Sequence, residues 1–173
     1  LEEPLQSVSG RIVLTPEAID LQDITADLGD GKIMLTGTAE LTNGIPDKFN
    51  LNLDAGQVPV DVPDTLEMTL NSQLTWAGTM DKSVITGQVD IFEGTYYKDV
   101  DLSLISIAAQ TTRKSRPKVR EPGPDFLKNI GLNIYVTRRE AIAVDNNLAS
   151  MSISPDISIR GTAYAPSLDG RAV

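Results

Sequence analysis

This 173-residue sequence contains neither cysteine nor histidine. The absence of cysteine removes disulfides, thiolate nucleophiles and cysteine metal ligands together. The absence of histidine as well excludes most hydrolytic triads and nearly all zinc sites. Aromatic residues are also scarce, at 5% of the chain, whereas hydrophobic residues make up 40%. These proportions indicate a globular protein whose apolar surface is mainly aliphatic.

Three further features are missing. No run of 18 apolar residues could span a bilayer, and no N-terminal stretch has the form of a signal peptide. The net charge of −9 disfavours nucleic acid as a partner, because phosphate binding needs clustered Lys and Arg. The chain begins at Leu1 without a Met, and we expect it to be an excerpt of a longer protein.

The acidic residues do not form a recognisable catalytic or metal-binding pattern. The segment 27–31 faintly resembles a calcium loop but lacks its alternating acids and terminal Glu. Asp99 and Asp101 share one strand face, yet the sequence has no His or Cys to complete an acid–base pair with them. We therefore expect no enzyme, no metal site and no cofactor.

Period-two alternation dominates the chain and predicts β-strands. From Leu66 to Trp76 the even positions are mostly aliphatic and the odd positions polar, and the odd positions from Ala149 to Ile159 are likewise apolar. Because successive side chains of a strand point to opposite faces, each such strand has one aliphatic and one polar face. Eleven residues span about 36 Å at 3.3 Å per residue, so the sheet must be broad and must curl or fold over.

Similar alternation elsewhere brings the total to roughly ten strands. Turn signals separate them at 29–31, 43–44, 59–63, 77–78, 93–94 and 145–147. Only two places could hold a helix: 16–19, where a bulged strand fits equally well, and 124–129. Glycines at 37, 87 and 161 each interrupt a strand pattern, which favours a sharp bend, a bulge or a close backbone approach there.

The aliphatic face is the candidate functional surface. In a closed sandwich it would be buried between two sheets; in an open, folded-over sheet it would form an apolar groove for a ligand, a membrane or a partner. The residues that would line it are Leu66, Met68, Leu70, Leu74, Trp76, Leu102, Leu104, Leu132, Ile134, Val136, Met151, Ile153, Ile157 and Ile159.

A basic, proline-rich loop is predicted at about 108–128. Its five basic residues are Arg113, Lys114, Arg116, Lys118 and Arg120. They could contact anionic lipid head groups or an acidic partner. Alternatively, the loop is a solvated connector whose charge protects a sheet edge from aggregation.

The ordered motifs resemble a known family. Leu70, Leu74 and Gly78 are followed by the pattern I-x-G-x-V-x-I-x-x-G-x-Y over 85–96. After the basic loop come L-x-I-x-V over 132–136, I-x-V-D-N over 142–146, and D-I-x-I-x-G-T over 156–162. This series resembles the TamB C-terminal domain family over roughly residues 66–170. The chain stops at Val173, before the final segment expected of that family.

The resemblance implies an all-β fold, a long curved sheet folded over into an open β-taco around a hydrophobic groove, with residues 1–173 as a single domain. It also implies a periplasmic location in a parent protein anchored in the inner membrane, no catalytic residues, and the outer-membrane barrel TamA as partner through parts of the parent chain. Two roles follow: conducting phospholipids, with acyl chains in the groove, or assisting outer-membrane protein insertion. A closed β-sandwich binding module is the remaining alternative.

Overall fold

The computed structural model describes residues 4–98, 124–148, 150–153 and 155–172. These residues form eleven β-strands and one short 3₁₀ helix. In chain order the elements are β1 (Gln6–Leu14), β2 (Ala18–Leu28), β3 (Gly31–Thr42), β4 (Ile45–Val62), β5 (Leu66–Thr79), β6 (Ser83–Tyr96), the 3₁₀ helix (Asp125–Asn129), β7 (Ile130–Arg138), β8 (Ile142–Asp145), β9 (Ser150–Ile153), β10 (Pro155–Thr162) and β11 (Pro166–Ala172).

All eleven strands belong to one sheet. Strands β1 to β6 form an antiparallel meander, in which each strand pairs with the next. Strand β7 then pairs with the first part of β6 in parallel, and β8 pairs with the last two residues of β6, also in parallel. Strands β10 and β11 extend the sheet beyond β7, and β9 pairs with β8. The predicted all-β, open, curved sheet is confirmed, with eleven strands where the sequence indicated about ten.

Hairpin turns occur where glycine and asparagine permit positive φ. Asn43 and Gly44 have φ values of 54° and 77° and connect β3 to β4, as a two-residue hairpin turn requires. Gly29, with φ 57°, lies in the turn between β2 and β3. The predicted turn at 145–147 likewise lies between β8 and β9.

Of three predicted turns, the one at 93–94 is wrong because β6 continues through it, whereas those at 59–63 and 77–78 begin too early, because the connections lie at 63–65 and 80–82. Strand β4 runs on past Pro59, β5 past Gly78 and β6 past Gly94. Pairing between β3 and β4 ends at Gly56, so Pro59 interrupts no ladder on that side of β4.

Bulges lie close to two of these positions and bend the sheet there. In β4, Gly56 and Gln57 lie opposite Asn71, whose side-chain oxygen accepts a hydrogen bond from the Gln57 amide at 2.7 Å. In β6, Phe92 is the extra residue in the register with β5. A third register shift follows Leu21 in β2, so the bulged strand is correct for the segment beginning at Pro16.

The other predicted helix and one predicted strand have mixed outcomes. Asp125–Asn129 is a 3₁₀ helix, with Asp125 in its first turn bonded to Lys128 at 2.6 Å. The continuous strand expected from Ala149 to Ile159 is wrong, because β9 and β10 are separate strands with different partners. Pro155 starts β10, a position where proline, which has no amide N–H, is tolerated.

The strand glycines mark close backbone approaches. Gly37 and Gly87 have φ values of 142° and 141°, and the pairing of Gly37 with β4 and of Gly87 with β5 continues without a shift. A Cβ at Gly87 would collide with the carbonyl oxygen of Gln73 on β5. Of the predicted alternatives, close approach therefore holds at these two positions and a bulge does not.

The sheet has little sealed interior. Among the described residues, no side chain is fully buried, and the buried hydrophobic ones are five. They are Leu28, Val58, Ile91, Ile130 and Ile142, each 6–8% exposed. The closed-sandwich alternative is therefore wrong, since the sheet is open.

Candidate functional site

Strand register collects the aliphatic side chains on one side of the sheet. Directly paired residues share a face, so a row can be followed from strand to strand. One row crosses eight strands, and in spatial order its members are Ile24, Leu35, Leu53, Leu74, Gly87, Ile134, Ile159 and Leu168. We call this side the aliphatic face.

A neighbouring row repeats the pattern. Its members, again in spatial order, are Leu21, Gly37, Leu51, Trp76, Ile85, Leu132, Gly161 and Pro166. Glycines thus occupy positions in both rows where a side chain would meet the adjacent backbone. The aliphatic surface is continuous from β2 to β11 in the part of the chain that the structure describes.

Most of the predicted groove residues lie on this face. The five from β5, the three from β7, and Ile157 and Ile159 from β10 share it through the register. Met151 pairs with Val144, which pairs with Tyr96, and the backbone of Ile153 pairs with Ile142. Leu102, Leu104 and the five basic residues of the predicted loop lie outside the described residues.

The predicted set omits the half of the face contributed by β2, β3, β4 and β6. Leu35, Leu53 and Val58 are examples, and each is paired with another member of the face. The sequence does contain a pattern that indicates these strands, because the same period-two alternation runs through 33–41 and 49–55.

Exposure on the aliphatic face varies from its margins to its centre. Leu14 on β1 and Leu168 on β11 are 70% and 69% exposed. Central residues such as Leu53, Leu74 and Ile134 are partly buried. A large apolar surface is therefore available to a ligand or partner.

Trp76 is fixed in place on this face. Its indole Nε1 donates a hydrogen bond to the Ser83 hydroxyl at 2.9 Å. The Phe49 ring meets it edge to face, with centroids 4.9 Å apart. As the single tryptophan of the sequence, and 36% exposed, it is an intrinsic fluorescence probe of the aliphatic face.

One cationic side chain interrupts the aliphatic rows. Arg138, at the end of β7, pairs with Ile91, which pairs with Leu70. Its Nε is buried and has no hydrogen-bond partner among the residues that the structure describes. Arg138 was not predicted as a residue of this face, although it is the next position in the alternation 132, 134, 136.

The opposite, polar face has different chemistry. It holds a cavity of about 810 Å³, lined by Thr25, Asp54, Gln73, Asp90 and Arg139 among others. None of the predicted groove residues lines this cavity. Its lining is therefore distinct from the predicted groove set.

Hydrogen bonds organise the polar face locally. Thr137 donates a hydrogen bond to the Asp90 carboxylate, and Gln88 Nε2 donates another at 2.7 Å. These two bonds, with the charge of Arg139, hold the pKa of Asp90 below its ordinary value. Such a network stabilises a carboxylate in its charged form, which is not what a general base near neutral pH requires.

Two searches of the described residues gave no site of another kind. No group of three acidic residues there could hold a metal ion. No helix in that part of the chain is long and apolar enough to cross a bilayer.

The fold and face together define a class: an open, amphipathic, single-layer β-sheet that presents a wide aliphatic surface. The family model described as the TamB C-terminal domain matches residues 22–173. The chain belongs to the TamB C-terminal domain family. Neither the curated proteins nor the solved structures contain a match to this chain.

Family membership defines the setting in coarse terms. TamB-type domains are non-enzymatic modules of transport and assembly. The family acts in the cell envelope, on the periplasmic side in the parent protein, and is associated with TamA and with envelope lipid handling.

Proposed function

We propose that this chain is a lipid-conducting domain that shields phospholipid acyl chains during transport between the inner and outer membranes. The observation that supports the proposal is the aliphatic face, which continues across eight strands without a second layer of described residues against it. In this proposal the sheet folds over far enough for that face to form a groove.

The chemistry of the face suits transport more than tight retention. Burial of apolar surface contributes about 25 cal/mol per Å² and has no directional requirement. Leu, Ile, Val and Met side chains therefore favour an acyl chain at many positions along a row by similar amounts. A chain can move between such positions without breaking a specific bond.

The cellular arrangement is part of the same proposal. The parent protein would be anchored in the inner membrane and would engage TamA through segments outside these 173 residues. Residues 1–173 would act as a single domain. The basic residues at 113–120 would contact lipid head groups or an acidic partner.

Photocrosslinking at two adjacent residues tests the lipid-conducting role. Ile134 lies on the aliphatic face and is partly buried, whereas Tyr135 lies on the polar face and is 47% exposed. A photoreactive residue at 134 should crosslink to phospholipid from vesicles, and the same residue at 135 should not, despite its greater exposure. Equal crosslinking at both positions, or none at 134, would contradict the proposal.

The alternative role, assistance to outer-membrane protein insertion together with TamA, is favoured by a different observation. Among the described strands, edge strand β1 pairs with β2 alone, and all nine of its residues are exposed. An unpaired edge of this kind can accept another strand by β-augmentation. Crosslinks from β1 to an unfolded outer-membrane protein, with none from 134 to lipid, would support this second role over the first.

A further inference from the structure

Among the described strand residues, Arg138 is the charged side chain on the aliphatic face that its apolar chemistry does not explain. Its register partners are aliphatic, from Ile91 to Leu70 to Val58. Three of the five buried hydrophobic residues lie along this row. Val58 and Ile91 are members of it, and Leu28 continues it through its partner Gly31, which lies beside Val58. A guanidinium in such surroundings loses hydration, which must be replaced by another interaction.

No such interaction is supplied within the part of the chain that the structure describes. The Nε donor is buried and has no hydrogen-bond partner there. The salt bridge found among the described residues joins Lys128 to Asp125 and does not involve Arg138. A buried donor without a partner costs about 1–3 kcal/mol. In native proteins such an atom usually marks a bound water, ion or ligand.

The location of Arg138 suits the head of an amphiphile. It ends β7 at the gap before β8, and both strands lie along the same edge of β6. Val136, Ile134 and Leu132 extend from it in one direction on the same face. The seven residues from Leu132 to Arg138, six steps of about 3.3 Å, span about 20 Å, compared with about 15 Å for half of the hydrocarbon core of a bilayer.

We propose that Arg138 binds the phosphodiester of a phospholipid whose acyl chain lies along Val136, Ile134 and Leu132. The planar guanidinium offers paired donors that match phosphate oxygens, and charge-assisted bonds of this kind are strong. This inference rests on the proposed lipid-conducting function and adds a head-group anchor to it. Transport would then proceed with one polar attachment point on an otherwise non-directional surface.

The test compares three ligands with matched chains on the wild-type chain. Dioctanoyl phosphatidylglycerol, uncharged dioctanoylglycerol and octanoate, each with brominated chains, are titrated against Trp76 fluorescence. Phosphatidylglycerol should bind about tenfold more tightly than the diacylglycerol, which corresponds to about 1.4 kcal/mol. Equal affinities for these two would overturn the head-group proposal. If octanoate matched phosphatidylglycerol, the site would be a carboxylate site and the phosphodiester assignment would be wrong.

Two adjacent arginines provide the matched variants. Arg138→Met should remove the preference for phosphatidylglycerol while diacylglycerol still quenches Trp76. Arg139→Met should leave the preference unchanged, because Arg139 lines the polar cavity and lies over the Phe92 ring at 5.6 Å. A preference that survives in Arg138→Met overturns the proposal.

Stability measurements separate an anchoring role from a structural one. Because Nε has no partner to lose, Arg138→Met should unfold at the same urea concentration as wild type or a higher one. A lower midpoint would indicate a structural role and overturn the proposal. Failure of the lipid-conducting function itself is distinguishable, since then neither dioctanoyl ligand would quench Trp76 in the wild type.

Discussion

The two faces of this sheet come from the same strands but differ in how their side chains are satisfied. On the polar face, partners lie close by: Thr75 donates to Asn52 at 2.9 Å, and the Ser9 and Thr25 hydroxyls are also 2.9 Å apart. On the aliphatic face, side chains such as Leu74 and Ile134 are only partly buried.

The difference shows where binding free energy is available. Polar side chains that already bond to each other or to water gain little from a new partner. Apolar side chains that are still partly exposed gain whenever a ligand removes them from water. The aliphatic face is therefore the better candidate for binding, although the polar face holds a cavity of about 810 Å³.

The largest expected effect comes from a glycine on which both faces depend. Gly87→Ala places a Cβ against the Gln73 carbonyl and requires alanine at φ 141°. That conformation is essentially restricted to glycine, so we expect a loss of roughly 3 kcal/mol in unfolding free energy. Urea denaturation would measure it.

Gly56→Ala is the matched control for that glycine. Gly56 is also within a strand, but a Cβ there meets nothing within 4 Å. We expect a change within about 1 kcal/mol of wild type. Equal losses at both positions would show that the close approach at Gly87 is not what fixes the pairing of β5 with β6.

How much of the fold the sequence predicts depends on whether a feature is encoded within one strand or by pairing between distant segments. Period-two alternation assigned Leu66 to Trp76 to the correct strand and faces, because alternation is encoded within each strand. The parallel pairing of β6 with β7 was not predictable, since it joins segments more than thirty residues apart. Pro59 and Gly94 were mistaken for turn residues although both pair within strands, with Thr69 and Met68, because proline and glycine are common in turns.

The candidate site was predicted in outline for a similar reason. Residues on strands with strong alternation, such as Ile134, were found. Arg138 was missed because a charged residue at the end of an apolar series normally marks the end of the strand face. Its position beside Ile91 depends on the register of the parallel pair, which the sequence does not reveal.

Introducing an aspartate on each face in turn should give the next largest effect, on the aliphatic face. Leu74 and Gln73 are adjacent in β5 and lie on opposite faces. Leu74→Asp should cost about 2 kcal/mol by placing a charge on partly buried apolar surface, and it should abolish quenching of Trp76 by brominated phospholipid.

Gln73→Asp adds the same charge to the polar face as a control. It lies opposite Asp54, so like-charge repulsion should cost no more than about 1 kcal/mol, and lipid quenching should persist. If this variant lost lipid binding while Leu74→Asp kept it, the functional assignment of the two faces would be reversed.

A smaller effect is expected from the one side-chain hydrogen bond that holds Trp76 on the aliphatic face. Trp76→Phe leaves the buried Ser83 hydroxyl without its indole donor. In a double-mutant cycle with Ser83→Ala, we expect a coupling energy of about 1 kcal/mol. A coupling near zero would mean that the packing of Phe49 on the ring, rather than the hydrogen bond, positions Trp76.

The smallest effect concerns the polar face and depends on pH. Hydrogen bonds from Thr137 and Gln88 lower the pKa of Asp90 in the folded state, so the folded protein favours the carboxylate more than the unfolded chain does. The resulting stabilisation is present above the ordinary carboxyl pKa of about 4 and is lost as pH falls through the lowered value. Because Asp90 is partly exposed to solvent, its contribution should stay below about 1 kcal/mol. Thr137→Val should therefore reduce the unfolding free energy slightly at pH 7 and by less near pH 2, as followed by urea denaturation across that range. A Thr137→Val deficit that is the same at both pH values would show that the methyl and backbone packing of Thr137, not its bond to Asp90, matters to the polar face.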